Sequence, residues 1–82
     1  MNVLIYSTPT CGYCHMAKQF LTRYGVPFTD LDVSQNVQAA EEMVYKSGQT
    51  GTPVIDIDDR IIVGFDQNAI VETLKHYGDV VR

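Results

Sequence analysis

Two cysteines three residues apart, Cys11-Gly12-Tyr13-Cys14, stand where an extended run gives way to helical spacing, and they are the only cysteines in the chain. Val3-Leu4-Ile5-Tyr6 before them is a short apolar run of strand type. Ser7, Thr8, Pro9 and Thr10 between are turn formers. Residues three apart on a helix have Cβ atoms roughly 5–6 Å apart, whereas a disulfide needs about 3.5–4.5 Å. Cys11 is therefore expected at or just before the first helical turn, with Cys14 inside the helix. There the Cys11 sulfur meets unpaired backbone N–H groups at the positive end of the helix dipole. Cysteines in such settings have pKa values of about 3.5–7.5 instead of roughly 8.5. Cys11 is then the candidate nucleophile near neutral pH, and Cys14 the thiol that resolves the mixed disulfide it forms.

The rest of the chain divides cleanly. Ala17, Phe20, Leu21 and Tyr24 recur at helical spacing, Gly25 supplies a stop, and Pro27 follows. Pro27 to Val33 alternates as a second strand. Ser34 or Asn36 caps the next helix, which shows Val37, Ala40 and Val44 on one face and ends at Gly48. Gly48-Gln49-Thr50-Gly51-Thr52-Pro53 is a break. Val54-Ile55-Asp56-Ile57 and Arg60-Ile61-Ile62-Val63 then read as a hairpin around Asp58-Asp59, whose second position would suit glycine better. Gly64-Phe65 leads to Asp66, a helix N-cap, and the last helix carries Ile70, Val71, Leu74 and Tyr77 before Gly78. The order is β-α-β-α-β-β-α, and its first βαβ unit should be parallel with a right-handed crossover.

Eighty-two residues make one domain, 1–82, burying about 60–65% of its unfolded surface. The N-terminus runs straight into a strand, with no charged region before a long apolar stretch, so neither signal peptide nor membrane span is expected. That points to the cytosol, where a CxxC pair is catalytic or metal-binding more often than structural. The net charge is −4 and no basic cluster exists, which argues against nucleic acid or anionic membrane as partner. The acidic residues read mostly as solvated surface.

A CxxC beside a βαβ pattern is the signature of a thioredoxin-like redox site. With Thr52-Pro53 before the hairpin and Gly64-Phe65-Asp66 before the last helix, the whole chain resembles a glutaredoxin, nearest the short bacterial glutaredoxin-like proteins. The resemblance implies an α/β, thioredoxin-like fold, a four-stranded mixed sheet with three flanking helices. It implies a thiol–disulfide oxidoreductase that reduces protein or glutathione mixed disulfides through Cys11 and Cys14, with disulfide-bonded proteins as partners; a monomer is expected. It further implies a cis Thr52–Pro53 peptide facing the cysteines. A cis turn leaves the Thr52 N–H and C=O free to pair with an extended substrate backbone; otherwise Pro53 merely begins a strand. Tyr13, Gly64, Phe65 and Asp66 are expected to line the substrate or glutathione groove, and the N-terminus of the last helix to receive a carboxylate.

The electron donor is less determined. Family members that use glutathione commonly carry Lys or Arg three residues before the first cysteine, where this chain has Thr8. They often have Thr-Val-Pro, here Gly51-Thr52-Pro53, and paired glycines before the acidic residue, here Gly64-Phe65-Asp66. Gly-Phe at this place is similar to the redoxins that feed ribonucleotide reductase and draw on thioredoxin reductase. Glutathione as co-substrate and a thioredoxin-reductase-type donor thus both stand.

Other readings of the cysteines weigh less. Structural zinc wants four ligands, and His15 lies too close to Cys14 for finger spacing. Cys11–His15 matches the haem attachment pattern CxxCH, which requires an exported, mainly helical chain. The serious alternative, which the resemblance to glutaredoxins brings with it, is a [2Fe–2S] cluster shared between two subunits with glutathione completing its ligands, and the small Gly12 after Cys11 fits that pattern; otherwise no cofactor or metal is expected. His15, one turn from Cys11, either favours its thiolate when protonated or is an exposed helix residue. Lys18 reads as a solvated charge or a weak contact to an anionic substrate, and Tyr6, Phe20, Tyr24 and Phe28 as packing.

Overall fold

A computed structural model describes residues 1–76. The element order is β1 (Val3–Ser7), α1 (Gly12–Arg23), β2 (Thr29–Asp32), α2 (Val37–Ser47), β3 (Val54–Ile57), β4 (Arg60–Val63) and α3 (Gln67–Lys75). The strands form one mixed sheet in the order β2-β1-β3-β4. β1 pairs in parallel with β2, Leu4 opposite Thr29 through Ser7 opposite Asp32. It pairs antiparallel with β3, which pairs antiparallel with β4. This is the expected thioredoxin-like arrangement of four strands and three helices. The expected Tyr77 and the Gly78 stop lie outside the described residues.

Alternation along the strands builds two cores. Val3 and Ile5, with Ile55, Ile57 and Ile62, face α1 and α3 and meet Ala17, Leu21, Ile70 and Leu74. Tyr6 and Val54 point the other way and meet Ala39 and Met43 of α2. β3, central and covered on both faces, is buried at every position.

Most element ends match local chemistry. Asn36, not Ser34, caps α2: its side chain accepts from the Ala39 N–H at 3.0 Å. Ser34 instead sits in a turn with Asp32. Gly48 ends α2 in the left-handed conformation, φ 71°. Asp66 caps α3 by accepting from the Ala69 N–H at 3.1 Å. Asp58 and Asp59 both adopt positive φ, 48° and 71°, as a two-residue hairpin turn requires.

Two expectations are corrected. β2 is shorter than Pro27–Val33, because its ladder runs only along Leu4–Ser7 of β1, with one further bond from the Val33 N–H to the Ser7 carbonyl at 2.9 Å. The stripe Val37, Ala40 and Val44 does not face the core. Val37 is 73% and Val44 41% exposed, and α2 buries Ala39 and Met43 instead. The reason lies in the sheet. Asp56 on β3 faces α2 and is buried, and the Lys46 ammonium meets it at 2.7 Å. Turning the valine stripe inward would swing Lys46 out and strand a buried carboxylate, which is far costlier than exposing two valines.

Candidate active site

β1 ends in the buried Ser7 and delivers the loop Thr8-Pro9-Thr10 to the start of α1. Cys11 is the N-cap of that helix, in extended conformation, and the Cys14 N–H donates to its Sγ at 3.1 Å. The cysteines are joined as a disulfide with Cα atoms 5.2 Å apart. The expected geometry is therefore present: one sulfur at the positive helix end and the other one turn inside. Their burial differs sharply. Cys11 is partly exposed, whereas Cys14 is completely buried. A substrate disulfide can reach only the Cys11 sulfur directly, and a dithiol placed this way can pass an electron pair to it.

The Thr52–Pro53 peptide is cis. Among the described residues, neither the Thr52 N–H nor its carbonyl has a hydrogen-bond partner. The Pro53 carbonyl accepts from the Gly64 N–H at 2.8 Å, which ties the Thr52-Pro53 break to the turn before α3. Gly64 has φ 80°, so a side chain there would be strained even though space is open. Phe65 meets Phe20 of α1 edge-on, ring centroids 5.7 Å apart. Tyr13, beside the cysteines, is 65% exposed. Thr52, Pro53, Gly64, Phe65 and Asp66 thus form one connected segment, and Phe65 links it to the helix that carries the cysteines.

His15 does not stand free below Cys11. Its Nε2 lies 3.1 Å from the Pro9 carbonyl and braces the turn ahead of the cysteine. Lys18 is more than a solvated charge: it meets Asp30 of β2 at 2.8 Å, and Asp30 also accepts from the buried Ser7 hydroxyl. Helix α1, β2 and the last residue of β1 are joined at this point. Only the parallel pairing of β1 with β2 brings Ser7 and Asp30 together, which sequence spacing did not reveal. Burial works against the Asp30 charge, but the Lys18 ammonium and the Ser7 hydroxyl hold its carboxyl below the ordinary value. A depressed carboxylate contributes stability above its unfolded pKa, and that stability is lost as pH falls through the folded one. Lys18→Met should therefore lower stability at pH 7 by less than about 1 kcal/mol, as for partly exposed pairs. The deficit should vanish near pH 2; urea unfolding at both values checks this, and an equal deficit at both would contradict it.

A [2Fe–2S] cluster asks for more than this chain offers alone. Cys11 is accessible and the space beside Gly12 is open. Among the described residues, however, no group of three or more His, Cys, Asp or Glu stands where it could hold a metal ion. That donor set does not fit a cluster held within one subunit. Among the same residues, no helix is long and apolar enough to cross a membrane.

Comparison with known proteins agrees with this geometry. The family model described as Glutaredoxin matches residues 3–62. An uncharacterised glutaredoxin-like 8.6 kDa protein from the rubredoxin operon of Clostridium pasteurianum is 44% identical over 73 residues, covering 89% of this chain and 97% of that protein. Glutaredoxin 3 of Escherichia coli K12 is 46% identical over 65 residues, covering 79% of this chain and 78% of that one. The structure of the glutaredoxin-like NrdH-redoxin from Escherichia coli, a protein with a thioredoxin-like activity profile, superposes with a TM-score of 0.79 at 28% identity, covering 88% of this chain and 93% of that one. With a thiol pair of this geometry, on this fold and among these relatives, the chain belongs to the glutaredoxin family and is a thiol–disulfide oxidoreductase.

Proposed function

We propose that the protein reduces disulfides of protein substrates, or protein–glutathione mixed disulfides, by a two-thiol route in the cytosol. The observation that carries this reading is the contrast between Cys11, accessible and capping α1, and Cys14, buried one turn behind. The Cys11 thiolate attacks one sulfur of the substrate, forming a Cys11–substrate disulfide and expelling the other sulfur as a thiolate. Cys14, losing its proton, attacks the Cys11 sulfur. The Cys11–Cys14 bridge forms, the second substrate sulfur leaves, and the substrate has gained two electrons and two protons. Thr52 offers its unpaired N–H and C=O to the extended backbone of the substrate. Tyr13, Pro53, Gly64, Phe65 and Asp66 flank the approach.

Two donors can restore the dithiol. Two glutathione molecules would yield glutathione disulfide; a thioredoxin-reductase-type enzyme would supply the pair from its own dithiol. Tyr13 and the N-terminus of α3 support glutathione, while Thr8 and the single Gly64 support the reductase. The test offers oxidised protein to glutathione with glutathione reductase, and separately to thioredoxin reductase, following NADPH loss. NADPH oxidation is expected in at least one arm. Reduction by glutathione would make it a working glutaredoxin despite Thr8. Reduction by the reductase alone would make Gly64-Phe65 the better guide. Failure of both arms would overturn the reading.

A further inference from the structure

Helix α1 is unusual in its charge. Its sequence GYCHMAKQFLTR holds two cations and a histidine and no acidic residue, in a chain of net charge −4. Lys18 is neutralised by Asp30. Arg23 is exposed, and among the described residues no carboxylate lies within ion-pair distance of it. It stands at the far end of a stripe that begins at the redox motif. Tyr13, Met16, Phe20 and Arg23 are spaced three, four and three apart, on one helical face.

Beside this stripe, between α1 and the start of α3, lies a groove of about 180 Å³ lined by Met16, Gln19, Phe20, Arg23, Phe65 and Gln67. It is smaller than the roughly 300–1,000 Å³ of small-molecule sites, and suits one apolar side chain. Phe20, Phe65 and Met16 supply its apolar lining, with Met16 47% exposed. Gln19 of α1 and Gln67 of α3 also line it, and their amides are apt for a peptide backbone. Arg23 is its only charge. Met16, Phe20 and Arg23 of the stripe line this groove, and Tyr13 of the redox motif continues the same helical face.

We propose that this groove recognises protein substrates, taking an apolar side chain over Phe20 and Phe65 and a substrate carboxylate on Arg23. The inference rests on the two-thiol reading above and specifies its substrate class. Tyr13 to Arg23 spans about 15 Å of helix, which an extended peptide covers in about five residues. The preferred substrate therefore carries an acidic residue about five positions from its reacting cysteine, with an apolar residue between. Elsewhere the acidic surface of the protein repels such a segment, so the same charges favour this docking over others.

The test uses disulfide-linked peptides with Glu on both sides, five residues from the cysteine, against the same peptides with Lys, and a small uncharged disulfide as reference. Wild-type protein should prefer the Glu peptide by about threefold in kcat/KM at low salt, with the ratio shrinking as salt rises. Arg23→Glu should reverse that preference while leaving the small disulfide unaffected. Met16→Ser, a surface change, should erase the preference for Leu over Ser at the intervening position. An Arg23→Glu variant that treats Glu and Lys peptides as wild type does would overturn the proposal. Failure of wild-type protein with every disulfide, the small one included, would instead overturn the two-thiol reading beneath it.

Discussion

Cys11→Ser is expected to eliminate disulfide reduction, down to the uncatalysed background. A hydroxyl cannot enter a disulfide, so neither the mixed intermediate nor the internal bridge can form. Structural damage would not explain the loss, because serine is a favoured N-cap and can accept the Cys14 N–H that the Cys11 sulfur accepts now. Cys14→Ser should behave differently. The first attack still occurs, but nothing resolves the mixed disulfide, so protein disulfide reduction stops with the substrate attached to Cys11. Exchange with glutathione mixed disulfides should persist, because an external thiol can resolve the intermediate. An NADPH-coupled assay and intact mass of the trapped adduct distinguish the two variants. Full activity in Cys11→Ser, or multiple turnovers of a protein disulfide by Cys14→Ser, would refute the assignment of roles.

Lys46→Met is expected to destabilise the fold strongly, although it removes no part of the apolar core. Lys46 on α2 donates to Asp56 at 2.7 Å and to the Tyr6 hydroxyl at 2.7 Å, while Tyr6 donates to Glu42 at 2.9 Å. Asp56 is only 3% exposed. Its other carboxylate oxygen accepts from the Asp59 N–H in the hairpin turn, so the network also holds β3 to β4. Burial opposes the Lys46 charge, but its hydrogen bonds to Asp56 and Tyr6 prevail and raise its pKa above the ordinary value. A raised ammonium contributes stability fully present below its unfolded pKa and lost only in strong alkali. The bridge is therefore complete across neutral pH. Removing the ammonium leaves a buried carboxylate without its cation, at a cost of about 3 kcal/mol. In a chain this size that lowers Tm by about 12–24 °C. Replacing both partners with apolar residues, Lys46→Met with Asp56→Leu, should restore most of the loss, because an apolar pair needs no counter-charge. Thermal unfolding of the single and double variants tests this; a single variant within 0.5 °C of wild type would show that water already satisfies Asp56.

The geometry of the cysteine pair was legible because it is local. Cys11 and Cys14 lie within one turn, and the N-cap, the helix dipole and the spacing of the pair follow from residues 7–14 alone. The same holds for Asn36, Gly48 and Asp66, whose roles at helix ends depend on backbone groups three or four positions away. The cis peptide at Thr52–Pro53 was legible through resemblance, since local propensity left it balanced against a plain strand start.

The interactions that periodicity could not reveal join residues far apart in the chain. Helix α2 offers two faces, one with Val37 and Val44 and one with Ala39 and Met43, and hydropathy favours the wrong one. The choice falls to Asp56, ten residues beyond Lys46, because only the sheet turns that carboxylate toward α2 and buries it. Lys18 looked solvated until parallel pairing of β1 with β2 put Asp30 and Ser7 beside it. The groove along α1 exists only because α3 packs against the same side of the sheet and lays Phe65 on Phe20. Residues within one turn of each other constrain chemistry directly through the backbone. Partners ten to forty positions apart meet only when strand order and helix side are set, and buried charge, more than hydrophobicity, decided which side α2 presents.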